Sequence, residues 1–148
     1  MAKKILEFDV EDHLDFELTG IICAYKDYRL CFEINEALNI RLCKTDDLEL
    51  RLERKHSTGW FSLYQYITND EEEFYLIANK GNHTWFVPEQ KHIDFFLVVR
   101  NRSPYTDMES ICRILRESPL INSIIPLEVS SLKSADNFLY IEPDNSLL

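Results

Sequence analysis

Residues 93 to 99, IDFFLVV, form an almost continuously apolar run. An exposed strand alternates greasy and polar side chains, whereas a strand covered on both faces has no wet side to keep polar. The run therefore predicts the central strand of a sheet, with a packed layer above it and another below. The rest of the chain has to supply the neighbouring strands and both layers.

Strand signals lie on either side of the run. Residues 4–8 suit a first strand, and Phe16 to Ile22 a second, with Phe16, Leu18 and Ile22 on one face across Gly20. Leu48, Leu50 and Leu52 alternate with Glu49, Arg51 and Glu53, which puts three leucines on one side and charge on the other. Residues 60 to 67, WFSLYQYI, and 74 to 79, FYLIAN, are aromatic-rich strands joined by the acidic turn Asn69 to Glu73, and so predict a hairpin. Lys80, Gly81 and Asn82 turn the chain into a short strand, Thr84 to Val87, that Pro88 ends by removing a ladder donor.

Two segments change to a helical period. Asp27 suits the cap of a helix in which Leu30, Ile34, Ala37 and Leu38 form a stripe widened by Cys31, and Asn39 suits its left-handed end. Thr106 and Glu109 form a capping box ahead of the stripe Met108, Ile111, Cys112 and Leu115, and Ser118 with Pro119 stops that helix. With the run before it and Ile121 to Val129 after it, this second helix predicts a strand, crossover helix, strand unit. Pro126 pushes the last strand of that unit to an edge or a bulge. Phe138 to Ile141 suits a final short strand.

No repeat or flexible linker divides the 148 residues, which fit one core. The expected architecture is α+β: a single domain, 1–148, of mainly antiparallel sheet with two principal helices packed on it and ends that fray at about 1–3 and 143–148. The opening MAKKILEF lacks the apolar stretch of a signal peptide, and no run is long enough to span a bilayer, so a cytoplasmic location is expected. Cys23, Cys31, Cys43 and Cys112 match neither a zinc motif nor a compact disulfide framework and read as reduced, mostly buried small hydrophobes. Asn82, His83 and Thr84 fit the glycosylation rule, which has no bearing on a cytoplasmic chain.

The 26 acidic side chains outnumber the 16 basic ones, for a formal charge of −10. Such a balance opposes phosphate neutralisation, so nucleic acid is not an expected partner. The acidic surplus serves solubility or the docking of a basic partner.

Absences narrow the chemistry. With only Gly20, Gly59 and Gly81, neither GxxxxGK[ST] nor GxGxxG can be written. His13, His56, His83 and His92 contain no HExxH, and GxSxG is missing, so Cys31 or Ser57 with a histidine has no local support as a nucleophile. Glu11, Asp12, His13 and Asp15 suit a solvated acidic loop better than a cation site. No catalytic residue, metal or cofactor is expected.

Residues 87 to 96, VPEQKHIDFF, carry the least ordinary choice of side chains. Asp94 stands at the head of the apolar strand, where an ionised group must find hydrogen bonds or shift its pKa upward. One reading makes Asp94, Glu89 and Arg29 a polar site for acid/base work or ligand recognition. The other has Asp94 accept backbone N–H groups that fix the turn after Pro88, while Glu89 caps or pairs. The aromatic residues Trp60, Tyr64, Tyr66, Tyr75, Trp85 and Phe86 exceed what one covered sheet face needs. Core packing accounts for most of them; any left exposed would offer a partner surface, homodimerisation being the simplest use.

VPEQKHIDFF resembles the signature of the IPExxxVDY family of bacterial proteins, with Val87 for Ile, and Ile93 and Phe95 in place of Val and Tyr. The segments KDYRLCFEIN, FSLYQY and LIANK are also similar to that family, so the resemblance runs from about Phe16 to Ile141. It implies a small cytoplasmic protein of Bacteroidetes type and brings no activity or catalytic residue with it. The expected function is a non-enzymatic interaction or regulatory module that takes a protein partner or its own copy. A ligand-binding or enzymatic site around Glu89, Asp94 and Arg29 is the alternative.

Overall fold

The computed structural model of the chain describes residues 14–52 and 57–147. In chain order the elements are β1 (Glu17–Ile22), α1 (Asp27–Leu38), β2 (Cys43–Lys44), β3 (Leu48–Leu52), β4 (Ser57–Phe61), β5 (Leu63–Ile67), β6 (Glu73–Ala78), β7 (Phe95–Arg100), α2 (Met108–Arg116) and β8 (Ser123–Leu127). Six strands form one sheet in the order β2-β5-β6-β7-β1-β8, and β3 and β4 form a second. Every neighbouring pair is antiparallel. The strand predicted at residues 4–8 and most of the acidic loop around His13 lie outside the described residues.

The apolar run behaves as its composition requires. β7 is flanked by β6 and β1, and its side chains alternate between two cores. Phe95, Leu97 and Val99 pack with Leu30, Ile34, Ile111 and Leu115 from the two helices. Phe96 and Val98 face the opposite layer, built from β3, β4, the loop that follows β6, and the C-terminal segment. There Phe138 lies edge-on to Phe86 at 5.0 Å and to Phe96 at 5.3 Å, and 5.6 Å from Phe16. Gly20 belongs to this face for a steric reason: a Cβ there would come within 2.6 Å of Ile93 Cδ1, so any other residue would force the Ile93 side chain to shift.

β7 and β8 both pair antiparallel with β1, so they run in the same direction with β1 between them. The crossover unit forms as a split pair linked by α2, and β8, the strand of Pro126, is an edge strand. Asn39 ends α1 at φ 55, ψ 48, the left-handed cap its sequence predicts.

Other expectations need correction. WFSLYQYI is not one strand: it breaks at Ser62 and feeds both sheets. The Ser62 carbonyl accepts the Ala78 N–H at 3.0 Å and its hydroxyl donates to the Asp27 carboxylate, and these long-range bonds fix the bend. Asp27 is thereby engaged in the first turn of α1, and Lys26 takes the cap position. Asp107, not Thr106, caps α2, accepting from the Glu109 N–H at 3.1 Å and the Ser110 hydroxyl at 2.7 Å. Thr84 to Val87 forms only the single bridge Lys80–Trp85, because Asn79 takes the Phe86 and Val87 N–H groups. Phe138 to Ile141 is not a strand either: residues Ala135–Tyr140 wind as a 3₁₀ helix whose end Arg100 holds.

Candidate functional site

The segment from Asn79 to Asp94 is organised around a side chain that sequence reading passes over. Asn79 is fully buried. Its Oδ1 accepts the Val87 N–H at 2.7 Å, and its Nδ2 donates to the carbonyls of Gln90 at 2.8 Å and Ile93 at 2.9 Å. Its own backbone accepts from Phe86 and donates to Asp94. One amide satisfies a loop that has no ladder of its own, which buried backbone groups demand. The available signal was an Asn closing the otherwise apolar segment FYLIAN.

The sequence candidates take separate roles around this hub. Asp94 Oδ2 accepts the Cys23 N–H at 2.8 Å, while its backbone N–H reaches the Ile21 carbonyl at 3.0 Å. Together these bonds extend the β1–β7 pairing by a step and fix the exit of β1 towards α1. Desolvation, with the Asp94 charge adding to it, pushes the Cys23 thiol above its ordinary pKa. Pro88 opens a single 3₁₀ turn, Pro88–Gln90, where its missing N–H costs nothing. Glu89 accepts from the Ser134 N–H at 2.7 Å and the Ser134 hydroxyl at 2.8 Å. Partial desolvation works against its ionised form, but those hydrogen bonds outweigh it and hold its pKa below the ordinary glutamate value. Arg29 lies exposed on α1. No hydrogen bond or ion pair joins Arg29, Glu89 and Asp94 to one another among the described residues.

A second polar centre closes the same layer at the far end of β7. Arg100 donates to the carbonyls of Ile141 at 2.6 Å and of Phe138, with its guanidinium over the rings of Tyr75 at 5.4 Å and Phe16 at 5.7 Å. Tyr75 donates to Glu73 at 2.5 Å, so the half-buried cation has a carboxylate one hydroxyl away. Burial lowers the Arg100 pKa and drives that of Tyr75 up. Gln65 completes the fastening: its amide donates to the Asp144 carbonyl at 2.9 Å and accepts the Asp144 N–H at 2.6 Å.

A cleft of about 320 Å³ lies beside Phe16 and Val99, lined otherwise by Asp15, Glu17, Asn101 and Arg102. Arg102 and Glu17 pair across it at 3.5 Å, and its lining includes no histidine, cysteine or hydroxyl nucleophile. Among the described residues no group of three or more His, Cys, Asp or Glu side chains could hold a metal ion, and no helix is long and apolar enough to cross a membrane. Cys23, Cys31 and Cys112 are buried and Cys43 is exposed; all four are free thiols.

Three of the exposed aromatic residues group at α1, while Tyr105, 95% exposed, and Trp60 stand apart from them. Tyr64, Tyr75 and Phe86 are buried, as core packing predicts, and Trp60 is 46% exposed. Tyr25, Tyr28 and Phe32 are 50%, 64% and 59% exposed, at the start and on the outer face of one helix. With about 100° of rotation per residue, Phe32 falls opposite the buried stripe Leu30, Cys31 and Ile34, and Tyr28 falls at its flank. The helical period that locates the core therefore also locates this face, although the aromatic residues weighed from sequence were those of the strands. Arg29 and Glu36 share the face, and both are exposed.

Comparison with models of known protein families gave no match to this chain, and neither did comparison with curated proteins.

Proposed function

We propose that this α+β chain is a non-enzymatic protein-interaction module and that the outward face of α1 is its contact surface. The observation that carries the reading is the grouping of Tyr28 and Phe32 on α1 with Tyr25 just ahead of it, each at least half exposed, while Leu30, Cys31 and Ile34 of the same helix are buried. Large apolar side chains left in water at one place mark a surface that another molecule covers. A cytoplasmic setting and membership of the IPExxxVDY family, which the segment VPEQKHIDFF suggests, belong to the same reading.

The alternative, a ligand or catalytic site around Glu89, Asp94 and Arg29, has less support, since the two carboxylates are engaged by Ser134 and Cys23 and Arg29 joins neither. Affinity capture from cell extract separates the two. A Tyr28→Ala/Phe32→Ala variant that folds is expected to lose proteins the wild type retains, while Glu89→Gln/Asp94→Asn retains them. Equal retention by the α1 variant counts against the module. A small-molecule thermal shift abolished by Glu89→Gln/Asp94→Asn would move the function to that segment.

A further inference from the structure

The outer face of α1 has a charge pattern that fits its own copy. Around Phe32 it carries Arg29 one turn before and Glu36 one turn after, both exposed and neither in an ion pair among the described residues. A two-fold axis passing between Phe32 and Glu33, perpendicular to the helix, would exchange positions 29 and 36. It would set each Arg29 against the second copy's Glu36, twice, with the two Phe32 rings meeting on one side of the axis and the two half-exposed Glu33 side chains on the other, a like-charge contact that the two Arg29–Glu36 pairs must outweigh. Such self-complementarity is what an isologous contact requires.

Helix stability does not explain this arrangement. Arg29 is in the first turn of α1 and Glu36 in the last, so each charge stands at the end of the helix dipole that disfavours it. Within the helix Arg29 precedes Glu33 by four residues, the weaker orientation of an i,i+4 pair, and no such pair forms. Both charges are placed at a small cost to the helix and are left for a partner of matching pattern.

We propose that α1 pairs antiparallel with α1 of a second copy, forming a two-fold dimer through Phe32 and reciprocal Arg29–Glu36 contacts. The proposal rests on the reading of α1 as the interaction face. Its size sets its strength: an aromatic side chain buries about 150–250 Å² at most, so three already partly covered ones per copy keep the contact below about 1,200 Å² in total, the range of weak, transient association. The formal charge of −10 on each chain opposes assembly at long range. At about 0.15 M salt the screening length is about 8 Å, which removes most of that repulsion and leaves contact pairs largely intact.

Sedimentation velocity of the full chain at physiological salt, over a concentration series up to the high-micromolar range, tests this. The wild type is expected to shift from monomer to dimer, and Phe32→Ala to stay monomeric. Arg29→Glu and Glu36→Arg should each weaken the dimer at least about tenfold, because each sets like charges together twice. The Arg29→Glu/Glu36→Arg double variant should recover dimerisation, and since both changes agree with the helix dipole, its fold is not at risk. A dimer that the double variant fails to restore overturns this pairing. A wild type that is monomeric throughout overturns the dimer, and the α1 capture experiment then decides the wider reading: Tyr28- and Phe32-dependent retention of another protein leaves the module standing, and its absence removes both.

Discussion

Glu89 and Ser134 are joined twice, one carboxylate oxygen taking the serine N–H at 2.7 Å and the other its hydroxyl at 2.8 Å. The contact ties the loop after β6 to the segment that leads into the C-terminal 3₁₀ helix, two pieces of chain with no shared ladder. Its pH dependence has a definite sign. The folded pKa is depressed, so the stabilisation is fully present above the ordinary glutamate value and is lost as pH falls through the lowered one. Below about pH 4.3 the wild type is expected to lose stability more steeply than Glu89→Gln, in urea titrations followed by circular dichroism at a series of pH values. Parallel pH profiles for the two proteins would show that Glu89 is not held in this way.

Asn79 makes a stronger case for a structural residue. Replacing it with Ala strands the Val87 N–H and the Gln90 and Ile93 carbonyls in a buried place. The expected loss is about 3 kcal/mol or more, since each buried polar group left unmade costs about 1–3 kcal/mol. Asn79→Asp keeps the acceptor but loses both donors and adds a charge in the core, so it should be no milder. Chemical denaturation measures both variants; a change of less than about 1 kcal/mol in Asn79→Ala would mean that water or a shifted loop replaces the amide.

What could be read from the sequence depended on whether local chemistry or distant partners decide the backbone. β7 was legible because the five apolar residues Phe95 to Val99 leave no polar face, Asn39 because few residues tolerate its left-handed backbone, and the edge position of β8 because Pro126 lacks a donor. The break at Ser62 was not, since Trp60 to Ile67 is aromatic-rich throughout, as one strand would be, and the bend is imposed by Asp27 and Ala78. The strand expected at Phe138 to Ile141 fails for the same reason: its aromatic and β-branched residues favour a strand, but Arg100, far away in sequence, fixes the carbonyls at the end of a 3₁₀ helix. Of the candidate residues, Asp94 stood out as a carboxylate at the head of an apolar strand and Glu89 as a second one five positions before it, but their partners Cys23 and Ser134 are 71 and 45 positions away. The exposed face of α1 was legible in principle, being the complement of a stripe that the helical period had already identified.

Arg100 is expected to fasten the C-terminal segment. Arg100→Met keeps the apolar stem beside Phe16 and Tyr75 but removes both bonds to the Phe138 and Ile141 carbonyls. The expected loss is about 2–3 kcal/mol, from two hydrogen bonds to a charged donor. Amide exchange should speed up first in residues 135–146, while β7 and β1 remain protected. Arg100→Lys should not rescue it, because a single ammonium does not reproduce the fork that spans two carbonyls. Uniform acceleration across the whole sheet would instead place Arg100 in the global core.

Gly20 and Ile93 offer a test of packing that needs no charge at all. In Gly20→Ala the new Cβ meets Ile93 Cδ1 at 2.6 Å and its Cγ1 and Cγ2 at 3.2 and 3.3 Å, and Ile93 is fully buried, so its side chain must shift within the core. The expected cost is about 1–3 kcal/mol, the usual range for overpacking a core. Ile93→Val deletes the Cδ1 methyl, the nearest of the three contacts, and by itself should cost about 0.5–1.5 kcal/mol. In the double variant the new methyl partly fills the space the deleted one leaves, so the combined loss should fall short of the two single losses added together. Thermal denaturation of the four proteins of this cycle measures the coupling. Strict additivity would mean that β1 moves away from Ile93 when the methyl is added, and that the close approach at Gly20 is not what holds the loop after β6 against the sheet.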